Sequence, residues 1–182
     1  MNQVKWFERQ FHFDASYRMM PAVWERLAGT PARLEEKLGR IPADRLSKRS
    51  GQTWTIKENI GHLSDLESLW QDRIDDILTK QAEMRPADLS NRQTTQADHN
   101  STPLPELLDR FRAMRATTLA KLERLTAQQM VLSSVHPRLK VPMRIIDHCI
   151  FVAEHDDHHL ARITELSRLF DPAFGENQAF PE

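Results

Sequence analysis

The chain has 182 residues, and its 25 basic and 26 acidic side chains are mixed along the whole length, for a formal net charge of −1. That balance leaves no basic face for nucleic acid or for an anionic membrane surface. A single cysteine, Cys149, excludes an internal disulfide. No apolar run approaches the roughly 20 residues that cross a bilayer, and no leader pattern opens the chain, so a cytoplasmic location is expected.

Five glycines and scarce β-branched runs favour helix. Residues 1–15 form an aromatic N-terminal arm (Trp6, Phe7, Phe11, Phe13), expected to pack onto the body. Helical spacing begins near Ser16 with Met20, Val23, Trp24 and Leu27. Gly29-Thr30-Pro31 interrupts it, with Thr30 suited to a cap and Pro31 to a first helical turn. Leu34, Leu38 and Ile41 continue the stripe, so one kinked helix or two short ones in line are expected. After a connector over 42–52, Thr55 and Glu58 have the spacing of a capping box. The second helix then presents Ile56, Ile60, Leu63, Leu66, Trp70, Ile74 and Ile77 on one face.

Residues 80–101 are polar, without a sustained period, and long for a helix–helix turn. A connection of that length lets the next helix run parallel to its predecessor. The third helix opens at Thr102-Pro103 and carries Leu104, Leu107, Leu108, Phe111, Met114, Leu122 and Leu125. A connector over 127–141 precedes a fourth helix from about Pro142 to Phe170, and residues 171–182 form a C-terminal tail. Four amphipathic helices, one long crossover and no strands predict a single all-α four-helix-bundle domain over 1–182.

Four of the eight histidines lie in the fourth helix: His148, His155, His158 and His159. His155 and His159, four residues apart, leave one helix face about a turn apart and can reach one ion. A pair this short also arises by chance, so its direction matters. Taking 100° per residue from His155, the stripe of Val141, Ile145, Val152, Ile163, Leu166 and Phe170 spans roughly 20° to 80°. His159 and His148 fall inside it, at about 40° and 20°, and His155 at its margin. His158, near −60°, points with Asp147, Glu154 and Glu165 to the solvated side. His62, at the core margin of the second helix, is the leading candidate for a third ligand. Cys149 points about 120° from His155 and reads as a small core residue.

Two acids fall on apolar faces, Glu67 and Asp156, and buried carboxylates need partners. Each either accepts the free N–H of a metal-bound imidazole or pairs with an arginine from another helix. No Ser-His-Asp arrangement or glycine-rich phosphate loop is present, and no catalytic residue is identified.

The run Trp54-Thr55-Ile56-Lys57-Glu58-Asn59-Ile60-Gly61-His62-Leu63 with Asp65 and Glu67, followed by His155-Asp156-Asp157-His158-His159, resembles the DinB/YfiT-like superfamily of bacterial proteins. The resemblance covers about residues 20–170. It implies a bundle in up-down-down-up order and a metal held by His62, His155 and His159, with no ligand role for His148 or His158. Where many members carry an Arg-Gly-Gln-like stretch after the last histidine, this chain has Leu160-Ala161-Arg162-Ile163, which leaves the subgroup and its substrate open.

Three imidazoles leave coordination positions open, as catalytic sites do, and all-nitrogen ligation suits zinc or nickel. The resemblance implies a small-molecule substrate and favours a thiol-dependent S-transferase using a low-molecular-weight thiol. A metal-dependent hydrolase and a non-catalytic metal-binding stress or interaction protein are the alternatives, and a homodimer is expected. Metal binding is expected to weaken below about pH 6.5, where protons compete for imidazole.

Overall fold

The computed structural model describes residues 3–171; the expected tail from 172 onward lies outside the described residues. Four long helices, α1 (Met20–Leu38), α2 (Ile56–Leu78), α4 (Leu104–Glu123) and α6 (Ile145–Phe170), carry the fold. Between them lie two short helices, α3 (Arg92–Gln96) and α5 (Ala127–Met130), and two strands, β1 (Ser133–Val135) and β2 (Pro142–Arg144). No described helix is long and apolar enough to cross a membrane.

The strands correct the expectation of none. They pair antiparallel, Ser134 opposite Met143, and Val135 also bonds the crossover through Met84 N–H to its carbonyl at 3.0 Å. Three-residue strands are too short for an alternating pattern to register. The last helix therefore starts at Ile145, where the Asp147 carboxylate accepts from the backbone N–H of Arg144 at 3.0 Å. Asp147, which a helical wheel places toward solvent, is buried there.

The capping box at Thr55 and Glu58 forms as expected. Thr30 and Pro31, by contrast, stand inside one continuous α1. Proline has no N–H for the carbonyl four residues back, which here is Leu27. Arg115 from α4 supplies the missing donor, with Nη1 2.9 Å from the Leu27 oxygen. The Thr30 hydroxyl sits 2.9 Å from both the Arg26 carbonyl and Asp156 Oδ2, so it ties α1 to α6 instead of capping.

Two apolar clusters fill the bundle. One contains Val23, Leu27, Trp70, Ile74, Ile77, Leu122, Ile145, Phe151 and Val152. The other contains Leu34, Leu38, Ile56, Ile60, Leu63, Leu107, Phe111, Leu160, Ile163 and Leu166. Along α1 and α6 the chain passes from the first cluster to the second; along α2 and α4 it passes from the second to the first. Up-down-down-up order follows directly. The crossover over 80–101 is what permits α4 to run parallel to α2. On every long helix the switch between clusters is marked by polar residues, Thr30, Glu67, Arg115 and Asp156, and the histidines lie near that level.

Candidate metal centre

α2 and α6 pack together, and this brings His62, His155 and His159 into one buried group. One ring nitrogen of each lies within 4.8 Å of the other two. Nε2 of His155 and Nε2 of His159 are 3.2 Å apart.

Hydrogen bonds fix two of the three tautomers. Nδ1 of His62 lies 2.9 Å from Thr94 Oγ1, whose own hydrogen goes to Asp65 Oδ2 at 2.9 Å. Thr94 therefore accepts from His62 Nδ1–H, and the lone pair of His62 is left on Nε2. The same Asp65 oxygen accepts from His99 Nε2 at 2.9 Å, and Arg110 reaches the other oxygen at 3.2 Å. At His159, Nδ1 donates to Asn59 Oδ1 at 2.8 Å; the Asn59 amide is oriented by its own bond to the Thr55 carbonyl at 2.7 Å. Nε2 of His159 is thereby also a bare lone pair. His155 has no such support: its Nδ1 has no hydrogen-bond partner among the described residues, and its ring sits against the Trp6 and Trp70 rings at 5.0 and 5.5 Å.

Gly61 explains how His99 reaches Asp65. A Cβ at Gly61 would stand 2.3 Å from the His99 ring, so only glycine lets that imidazole lie against α2. Burial holds all three clustered histidines neutral. It pushes His62 down to about 4, and pushes His155 and His159 well below the usual range, the neighbouring imidazoles adding to the effect. Neutral rings with inward lone pairs are what a divalent ion requires.

Glu67 and Asp156 take the other of their two expected roles. Among the described residues neither bonds an imidazole, and both grip Arg115. Arg115 Nε and Nη2 reach Glu67 Oε1 at 2.8 and 2.6 Å, and Nη1 reaches Asp156 Oδ2 at 2.6 Å. Burial alone would lower Arg115, but Asp156 and Glu67 hold it above its ordinary value. The groups behind the histidines are instead Thr94, Asp65 and Asn59. Asn59 and Asp65 stand three residues before and after His62, on its own helix face, which is a readable signal. Thr94 and His99 lie in the aperiodic crossover and give none.

His158 is half-buried rather than solvated, because Trp6 of the arm packs over it at 5.7 Å. His148 lies away from the cluster, its Nε2 donating to the Trp70 carbonyl at 3.1 Å. Cys149 is buried, and burial pushes its thiol up to about 12, so it is inert at neutral pH.

The three histidines line a cavity of about 450 Å³, walled by Trp6, Trp54, Leu66, Trp70 and Phe151. A cavity of that size with an aromatic lining has room for a small molecule. Residues 26–163 match the family model described as the DinB superfamily. The chain belongs to that superfamily. Among solved structures, this DinB-superfamily chain is similar to YfiT from Bacillus subtilis, described as a probable metal-dependent hydrolase with an unusual four-helix bundle topology. The two share 23% identity with a TM-score of 0.77, over 89% of this chain and 93% of that one. No curated protein matches the chain.

Proposed function

We propose that the protein is a metal-dependent hydrolase, with one divalent ion held by Nε2 of His62, His155 and His159. The observation that carries this reading is the pair of hydrogen-bond chains that turn the lone pairs of His62 and His159 inward. Two nitrogens at about 2.0–2.1 Å from a tetrahedral ion stand about 3.3 Å apart. The 3.2 Å between His155 and His159 fits that spacing. An all-imidazole set suits zinc or nickel, and three protein ligands leave a position open. An ion so held supplies Lewis acidity and lowers the pKa of water.

The chain's own residues do the rest. Thr94, Asp65 and Asn59 hold the His62 and His159 rings in the binding tautomer, and Trp6, Trp54, Trp70 and Phe151 exclude bulk water and bind the apolar part of a small-molecule substrate. Hydrolysis is preferred to thiol-dependent S-transfer on two grounds. The description of YfiT supports it, and Cys149, the only cysteine, is buried, so S-transfer would need an external thiol to share the cavity with its acceptor. A non-catalytic staple would normally close its coordination with four protein ligands, whereas three groups converge among the described residues.

The test is a panel of aryl esters, amides and phosphate monoesters, assayed with zinc- or nickel-loaded protein and with His155→Ala, each with and without a low-molecular-weight thiol. Metal-dependent turnover that ignores the thiol is expected. Turnover only in its presence would replace the hydrolase with a transferase, and none from fully loaded protein would favour the staple.

A further inference from the structure

The cavity has a second polar wall, made by Arg73 of α2 and by His136 and Arg138 of the β1–β2 turn. Arg73 is 2% exposed. Its Nε donates to the Arg85 carbonyl at 3.1 Å, and its guanidinium lies 5.6 Å from the Trp70 ring centre. No ion pair holds it among the described residues. The acid one turn along, Asp76, gives both carboxylate oxygens to Arg85. Arg138 is alike: it lies over the Phe7 ring at 5.2 Å, and its buried Nη2 has no hydrogen-bond partner among the described residues.

His136 sharpens the case. Its Nδ1 accepts from the backbone N–H groups of Arg138 at 3.2 Å and Leu139 at 3.1 Å, so the proton of the neutral ring sits on Nε2. That Nε2 faces Arg73 Nη1 at 3.3 Å. Two donors therefore confront each other at the cavity wall with no acceptor between them. Buried donors without an acceptor are costly, and an incoming oxygen anion would satisfy both. Burial pushes Arg138 down, and it pushes Arg73 down to about 10 against the opposing pull of Asp76; both guanidinium groups stay charged at neutral pH. The other charges on the lining are already matched: Asp88 bonds Ser90 and Arg92, and Arg162 bonds Glu165.

We propose that Arg73, His136 and Arg138 form an anion subsite, and that the substrate is a small apolar molecule bearing a carboxylate or phosphate oxyanion. The oxyanion accepts from Arg73 Nη1, His136 Nε2 and Arg138 Nη2, while the apolar body lies against Leu66, Trp70 and Phe151. This rests on the hydrolase reading only for placing the reacting end at the histidines; the anion contact stands without it.

The test measures binding by calorimetry, in zinc-loaded and chelator-treated protein alike, of 4-phenylbutyrate, phenyl phosphate and the neutral 4-phenylbutyramide. At least one anion should bind in both forms, with the amide about tenfold weaker or more. Arg73→Gln and Arg138→Gln should each remove that difference while leaving the amide unchanged. Should Arg73→Gln fail to fold by circular dichroism, the less buried Arg138→Gln carries the comparison. Equal binding of acid and amide, unaltered anion binding in the arginine variants, or no anion binding at millimolar concentration would overturn the proposal. Anion binding that survives in protein unable to hold zinc would remove the hydrolase reading and leave the subsite. Zinc binding without anion selectivity would do the reverse.

Discussion

At His62 the ring nitrogen facing the cavity is chosen two bonds away, by a threonine whose hydroxyl proton is already committed to Asp65. Thr94→Val keeps the shape and deletes both bonds, so metal affinity should fall about 10–100-fold in competition with a chromophoric chelator. An unchanged affinity would show that the ring needs no such support. The histidine trio itself was legible, because a helical pair at i, i+4 lay on an apolar face and a third imidazole stood at a core margin. Thr94 was not legible: 32 residues separate it from His62, across a segment with no period. His158 misled for a different reason, since an angle on a helical wheel takes no account of an arm that folds over the helix. Burial also revises the expected pH limit. Protons compete with metal near the folded-state values, not near 6.5, and His62 lies at about 4. Zinc content should therefore hold from about pH 7 to about pH 6 and fall only toward pH 4; release centred near 6.5 would contradict the neutral, buried cluster.

Among the elements, α4 gives no side chain to the histidine cluster, yet Arg115 ties three helices together at its level. It pairs with Glu67 of α2 and Asp156 of α6, and it occupies the Leu27 carbonyl that Pro31 frees in α1. Arg115→Met would leave two carboxylates buried without a cation, at a cost of about 3–5 kcal/mol in urea unfolding. Adding Glu67→Gln and Asp156→Asn should recover part of that loss; no recovery would mean that the Leu27 bond, not the charge, is what matters. Sequence pattern located all four long helices, since each carries an apolar stripe and α2 a capping box. It misread Thr30-Pro31 as a boundary because the donor that repairs the helix comes from 84 positions beyond Pro31, a separation no local rule can span. The β1–β2 pair escaped because three-residue strands have no alternation to count.

At the scale of the molecule, the fold buries most of its imidazoles. His136 and His148 are pushed down to about 3, and His62 and His158 to about 4, burial being the leading cause in each. An unfolded chain takes up these protons near 6.5, whereas the native state resists until much lower pH. Stability is therefore full above about pH 6.5 and is lost progressively as pH falls toward 4. The urea midpoint of chelator-treated protein should drop between about pH 7 and pH 5, and added zinc should offset part of the drop. A midpoint flat across that window would mean the histidines titrate alike in both states. The proposed hydrolysis turns on whether His62, His155 and His159 together hold one divalent ion. Elemental mass spectrometry on protein without a histidine tag, beside His155→Ala, tests it most directly. Near-stoichiometric zinc or nickel is expected in the parent, and its loss in the variant. No metal in either, with none taken up when ions are added at about pH 7.5, would contradict it.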